Sequence, residues 1–412
     1  MTPKLYAVDV FVARQPIFDR EQRVFGYELL FRSCLTNAYD GTEATRATSQ
    51  VISTSFFSLG VGKILGGKRA FINFNRGLLV GDCVSILPSE VAVVEILETV
   101  EPDEQVLGAC KRLKERGYLL ALDDFVFQER LAPLAELADI IKVDVLVTPE
   151  AEQRRLVRRY GGRGIKLLAE KVETPEQFRQ AYQMGYSYFQ GYFFAHPVII
   201  AGREIPAFKV HYLQILKEIS LPELDYQRLE SLIKQEVSLS YKLLRYINSA
   251  AFGWRGHIES IKQALVLLGE SESRKFVSLV ALPFLAQDKP EELVVTAVIR
   301  ARFCESIAPR VGLTRRKADL FFLGMFSLLG TIMDRPLKEM LSEVCLAEDV
   351  REALLEKSCG RKPLGWILKL VRCYEAAEWG ALSEAAGRLK LPAEVITDLY
   401  LDSVQWADSV FR

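Results

Sequence analysis

Along the first half of the chain, short apolar runs rich in β-branched and aromatic residues alternate with amphipathic stretches of helix length. The runs are VFVARQPIF (10–18), VFGYELLF (24–31), AFINFN (70–75), VAVVEIL (91–97), YLLALDDF (118–125), DIIKVDVL (139–146), GIKLLAEKV (164–172) and YSYFQGYFF (186–194). Each has strand length, and the later ones are separated by enough chain for a helix. That alternation predicts a parallel sheet, and eight strands predict a closed barrel. Only DREQR (19–23) joins the first two runs, too few residues for a crossover, so one of these strands is expected to run antiparallel to its neighbour. An open doubly wound sheet is the structural alternative that periodicity leaves.

From about residue 206 the period becomes helical. Candidate helices are Tyr226–Glu236, Leu239–Ala250, Ile258–Leu268 ended by Gly269, Ser271–Phe284, Glu291–Val311, Arg315–Met333, Ala347–Ser358, Lys362–Leu389 broken at Gly380, and Ala393–Val410. Pro197 and Pro206 bracket a linker. The expected division is a barrel over 1–200 and an all-helical module over 201–412.

Composition narrows the function classes. A chain of 412 residues, half of them hydrophobic, can bury two cores. Lys+Arg and Asp+Glu both number 53, so no long-range field draws the protein to nucleic acid or to an anionic membrane. The seven cysteines are scattered and never spaced Cys-x-x-Cys, which fits reduced thiols. The opening MTPKLYAVDV lacks the pattern of a signal peptide, and the apolar stretch Leu320–Met333 is shorter than the roughly 20 residues that span a bilayer. The expected location is the cytoplasm.

Chemistry in a parallel barrel gathers at the C-terminal ends of the strands. Here those ends are polar: Glu28, Asn73, Glu95 with Glu98, Asp123 with Asp124, Lys142 with Asp144, Glu170 with Glu173, and Gln190. Taken singly, such residues cap helices or face solvent; Asp144, Glu173 and the Asp123–Asp124 pair could each do so. Their recurrence at one end of the barrel points to a site. Carboxylates converging there need a cation, and hard divalent ions held by carboxylate and amide oxygens are the simple solution. One or two such ions would suit a phosphodiester displacement, with Lys142 beside the developing charge and Glu170 or Glu173 as general base.

Over residues 10–200 these motifs resemble the EAL family of cyclic di-GMP phosphodiesterases. ARQPIFD (13–19), YELLFR (27–32), INFN (72–75), EILE (95–98), LDDF, IKVD, LAEKVET and FQGYFF follow the order of the family's motifs, with Leu29 in place of the alanine of the Glu-Ala-Leu segment. The resemblance implies an EAL-type α/β TIM-like (β/α)8 barrel with one antiparallel strand. It implies metal ligands at Glu28, Asn73, Glu95, Asp123 and Asp124, with Glu173 as a further metal-site glutamate, and Mg2+ or Mn2+ as the ion. It also implies a catalytic Lys142, a general base at Glu170, a supporting Gln190, nucleotide contacts from Gln15 and Arg32, and a loop anchor at Glu98. Two departures stand out. Val126, Phe127 and Gln128 follow the Asp-Asp-Phe run where the family carries small, glycine-containing residues, and Lys171 replaces a glycine after Glu170. Bulky residues resist the positive φ that glycine allows, so the loop is expected to take another path.

The segment 239–277 resembles HDOD domains, the non-catalytic relatives of HD-type metal phosphohydrolases. In GMFSLLGT (324–331), Ser327 and Leu328 stand where a hydrolase would carry its His-Asp pair, and the chain has three histidines, His196, His211 and His257. No hydrolytic metal site is expected in this half. Phe252 and Trp254 are core residues in one reading and a partner surface in the other. Two functions therefore compete: a phosphodiesterase opening cyclic di-GMP to linear pGpG with the HDOD half as a regulatory or protein-interaction module, and a degenerate EAL receptor or scaffold. A protein partner through the HDOD half is expected, and a homodimer is left open.

Overall fold

The computed structural model describes residues 11–32, 65–195, 207–248, 258, 260–356 and 362–411. All eight apolar runs form strands: β1 (Phe11–Phe18), β2 (Val24–Arg32), β3 (Arg69–Phe74), β4 (Ala92–Ile96), β5 (Leu119–Leu122), β6 (Ile140–Asp144), β7 (Lys166–Glu170) and β8 (Tyr188–Gln190). They close into a barrel in sequence order. β1 is antiparallel to both neighbours, β2 and β8, and every other pair is parallel.

The period of two along each strand sorts the barrel interior into layers. Ile17, Phe71, Val93, Ala121, Ile140 and Leu168 form an apolar cluster, with Phe25, Leu119 and Tyr188 packed on it. Burying each of the larger side chains contributes about 2 kcal/mol. Two residues further along the parallel strands come Asn73, Glu95, Asp123, Lys142, Glu170 and Gln190. On the reversed β1 the step runs backward, from Ile17 to Gln15. The same alternation that fills the barrel floor thus lifts a ring of polar groups to its mouth. Gly26 makes room for Phe71, since a Cβ there would lie 2.8 Å from the Arg69 carbonyl oxygen and 3.1 Å from the Phe71 ring.

The chain divides into two compact units, one of Met1–His196 with Arg372–Arg412 and one of Pro197–Val371. This alters the expected split at one place: the last forty or so residues belong with the barrel, not with the helical module. The cause is visible at Tyr374. Its fully buried ring packs at a tilt against Tyr400, centroids 4.5 Å apart, and its hydroxyl donates to the Val12 carbonyl of β1 at 3.2 Å. The predicted break at Gly380 also moves. Helices Pro363–Glu375 and Trp379–Leu389 are parted at Ala376–Glu378, with Ala377 at φ +56°.

The second unit is helical among its described residues. Ile261–Leu285 kinks at Gly269 (φ +75°), as the sequence predicts. The single helix expected over 315–333 is instead two, Lys317–Phe326 and Leu329–Met333. Ser327 donates to the Gly324 carbonyl at 2.7 Å, competing with the helical ladder at the break. It also accepts from Arg300 at 3.1 Å, while Leu328 is buried. Helices Ala207–Ile219 and Leu337–Glu343 were not expected. Of the described cysteines Cys345 is exposed, and Cys110, Cys304 and Cys373 are buried. No described helix is long and apolar enough to cross a membrane. His196, Phe252, Trp254 and His257 lie outside the described residues.

Candidate functional site

Lys142 stands at the centre of the barrel mouth. β6 delivers it fully buried, with its Nζ 2.8 Å from Asp123, 2.9 Å from Glu170, 3.4 Å from Glu28 and in direct contact with Glu95. Asn73 donates to Glu28 Oε1 at 3.3 Å. Gln190 donates to Glu28 Oε2 at 2.6 Å and to Gln15 Oε1 at 3.2 Å, and Gln15 in turn donates to the Ala376 carbonyl at 3.4 Å. Side chains from seven strands and the β5–β6 loop therefore share one network. Glu28 lies mid-strand, not at a strand end as its sequence context suggested, because β2 stays paired to β1 as far as Arg32.

Burial sets the electrostatics. Desolvation pushes Glu95 well above the usual carboxylate range, helped by the Glu28 charge. Glu170 is pushed up to about 7 by burial, which outweighs the pull of Lys142. Asp123 feels the same burial, yet the Lys142 ammonium holds it below its ordinary value. Burial disfavours the Lys142 charge, but Glu170, Glu28, Glu95 and Asp123 together raise its pKa well above normal.

A second, smaller cluster lies beside the first. Asp144 is buried; its Oδ1 accepts from the backbone of Leu146 at 2.8 Å and Val147 at 3.4 Å, and its Oδ2 pairs closely with Lys171. The turn-capping role considered for Asp144 thus accounts for one of its oxygens. The Lys171 ammonium also lies 4.0 Å from Asp124. Burial and the neighbouring Asp123 raise the Asp124 pKa, and the hydrogen bond to Asp144 raises that of Lys171. Both Asp124 (φ +40°) and Lys171 (φ +55°) hold left-handed backbone.

Some expected residues are elsewhere. Glu173 is exposed beside Thr174, which caps helix Pro175–Met184, and its backbone N–H donates to Gln177. Glu98 is exposed in the turn after β4, and the bond tying that region to the loop after Asp124 runs from Arg130 to Glu101. Arg32 ends β2, and its side chain lies outside the described residues. Val126 is exposed and Phe127 lies under the Arg159 guanidinium at 4.1 Å. None of residues 126–128 has positive φ, although Asp124 earlier in the same loop does. Lys171 pairing with Asp144 and Asp124 was not anticipated from spacing; the lysine at a glycine position was its only signal.

Whether a divalent ion suits the mouth can be judged from its donors. Asn73 Oδ1, Glu95 Oε2, Glu170 Oε2 and Gln190 Oε1 are buried acceptors with no hydrogen-bond partner. Hard oxygen donors of this kind fit Mg2+, Mn2+ or Ca2+. As the side chains stand, no described group of three or more His, Cys, Asp or Glu has metal-binding geometry, and the Lys142 ammonium lies among the carboxylates.

The EAL domain matches residues 84–197 and the HDOD domain residues 205–366. The EAL match begins after β3, so Glu28 and Asn73 precede it. The chain is 36% identical to the cyclic di-GMP phosphodiesterase CdgJ of Vibrio cholerae, over 98% of this chain and 93% of that protein. It is 34% identical to the uncharacterised protein YuxH of Bacillus subtilis, over 97% and 98%. Among solved structures, the calcium and cyclic di-GMP complex of Klebsiella pneumoniae BlrP1 is 26% identical, with a TM-score of 0.39 over 48% of this chain. This chain spans 58% of that one, less than two thirds of its length. An EAL domain protein from Listeria monocytogenes is 24% identical, with a TM-score of 0.38 over 45% of this chain and 87% of that one. The chain belongs to the family of CdgJ and YuxH, and carries an EAL domain joined to an HDOD domain.

Proposed function

We propose that the barrel is a metal-dependent phosphodiesterase that opens cyclic di-GMP to linear pGpG, with Mg2+ or Mn2+ as its ion. One observation carries this reading: four unpartnered, buried acceptor oxygens converge around a buried lysine at the barrel mouth. Glu28, Asn73, Glu95 and Asp123 would hold the ion, which when bound supplies Lewis-acid activation of water and of the phosphodiester. Lys142 places a permanent positive charge where negative charge grows on the phosphoryl oxygens. Glu170, with its pKa near 7, can take the water's proton at neutral pH. Asn73 and Gln190 hold the Glu28 carboxylate by donating to its two oxygens, fixing its orientation. Gln15, which accepts from Gln190, would contact the nucleotide together with Arg32. The HDOD unit serves as the regulatory or partner-binding module.

A receptor without turnover is the second reading, favoured by the Lys171 ion pair beside the site. The test is hydrolysis of cyclic di-GMP with magnesium or manganese, alongside binding in calcium. Glu170→Gln is expected to keep binding and lose turnover by about 10²-fold or more, since an amide cannot accept the proton. Retained turnover in that variant would refute the base assignment, and binding without turnover in the wild type would establish the receptor.

A further inference from the structure

Two cation positions meet the carboxylates of this mouth, and they differ in what is left over. Around Lys142 the carboxylate and amide groups retain unpartnered oxygens, so that cluster can accept a further cation. At Asp144 both oxygens are engaged: one accepts from two backbone amides and the other from Lys171. We propose that Lys171 is a tethered cation occupying the place of a second divalent ion between Asp124 and Asp144, so that the barrel takes one ion rather than two. This rests on the reading of the mouth as a divalent-ion site.

Backbone geometry supports the assignment. Lys171 sits at φ +55°, a conformation that glycine adopts freely and that side chains resist. Its partner Asp124 is also left-handed, at φ +40°. Strained residues persist where the surroundings over-determine them, and here the surroundings are visible. Val172 donates to the Gln190 carbonyl at 2.9 Å and accepts from Phe193 at 3.0 Å, while Gly191 packs its Cα face against Val172 so closely that a Cβ would lie 2.2 Å from the Val172 oxygen. The seam fixes the backbone of Lys171 at the mouth. A cation on such a tether competes with free metal intramolecularly, without the translational entropy that a free ion loses on binding. It is also monovalent and cannot bind water as a Lewis acid, so it supplies charge without a second metal-bound water.

The experiment counts ions. Full-length wild type, Lys171→Gly and Lys171→Arg are titrated with Mn2+, following free ion by electron paramagnetic resonance and bound ion by calorimetry. Glycine suits the positive φ, and arginine keeps the charge. The wild type and Lys171→Arg are expected to bind about one ion each and Lys171→Gly about two, with spin coupling between adjacent ions in the glycine variant alone. Two ions in the wild type, or one in Lys171→Gly, would overturn the inference while leaving the metal site intact. No Mn2+ bound by any of the three would instead overturn the metal-site reading and this inference with it.

Discussion

Replacing Lys142 with methionine keeps the volume of the side chain and removes the ammonium from the centre of four carboxylates. In the folded protein Glu28, Glu95, Asp123 and Glu170 all lie within 3.4 Å of Nζ. Burial already raises the pKa of both Glu95 and Glu170. Without the lysine at least one more carboxyl must take a proton at neutral pH. Holding an ordinary carboxyl neutral three pH units above its pKa costs about 4 kcal/mol, within the roughly 3–5 kcal/mol seen when a buried ion pair loses one partner. The sign with pH follows from the same picture. A carboxyl whose folded pKa is raised adds stability at low pH, and that stability is lost as pH rises through the folded pKa. The defect of Lys142→Met should therefore shrink to about 1.5 kcal/mol at pH 5. Urea unfolding of the barrel in EDTA, at several pH values, measures it. Adding magnesium to a hundredfold excess over its Kd should restore about 2.7 kcal/mol, because a divalent ion can then occupy the vacated centre. A variant as stable as wild type in EDTA at pH 7, or one whose defect does not ease on acidification, would refute the charge-balance argument.

The metal-free wild type should itself lose stability as pH rises, because the folded pKa of Glu170 is about 7 against an ordinary value near 4.5. The effect approaches about 3 kcal/mol above pH 8, and saturating Mg2+ should flatten it in the same unfolding assay. Gly191→Ala would force backbone apart at the Val172 seam and should cost at least about 2 kcal/mol along with metal affinity; unfolding and Mn2+ titration check both. Tyr374→Ala should destabilise the barrel by about 3–4 kcal/mol and Tyr374→Phe by only about 1 kcal/mol, as read by urea unfolding with hydrogen exchange in β1. Equal stability of the alanine variant and the wild type would remove the C-terminal segment from the barrel's core.

The barrel was legible because its signal is local. Six of the parallel strands carry an apolar residue at the floor and a polar one two places on, as in Phe71 and Asn73 or Ile140 and Lys142, and a period of two needs no knowledge of the neighbouring strand. What eluded the sequence depends on tertiary partners. Gly380 looked like the helix breaker, yet beyond its own helix backbone nothing crowds the place of its Cβ and it stays inside Trp379–Leu389. The break falls at Ala376–Glu378, beside the Tyr374 hydroxyl bound to Val12 and the Ala376 carbonyl bound to Gln15. Propensity could not locate a break that long-range hydrogen bonds accompany, nor could it assign the final helices to the barrel.

The same distinction explains the site. Residue types sufficed to name Glu28, Glu95, Asp123, Lys142 and Glu170 as a group, because carboxylates placed at successive strand positions must converge when the sheet closes. They did not suffice for Glu98 and Glu173, which share the residue type and the neighbourhood but sit one turn beyond the pleat, exposed. The pleat dictates the direction of a side chain only while the strand lasts; past its end, turn geometry decides. Lys171 shows the converse. It lies just past the end of β7, where the period of two says nothing, and its position at the mouth follows from a left-handed backbone held by the Gly191 seam. A charge placed outside the repeating pattern can change without disturbing the strands, which is why exchanging Lys171 for glycine is a clean test of the proposed ion count.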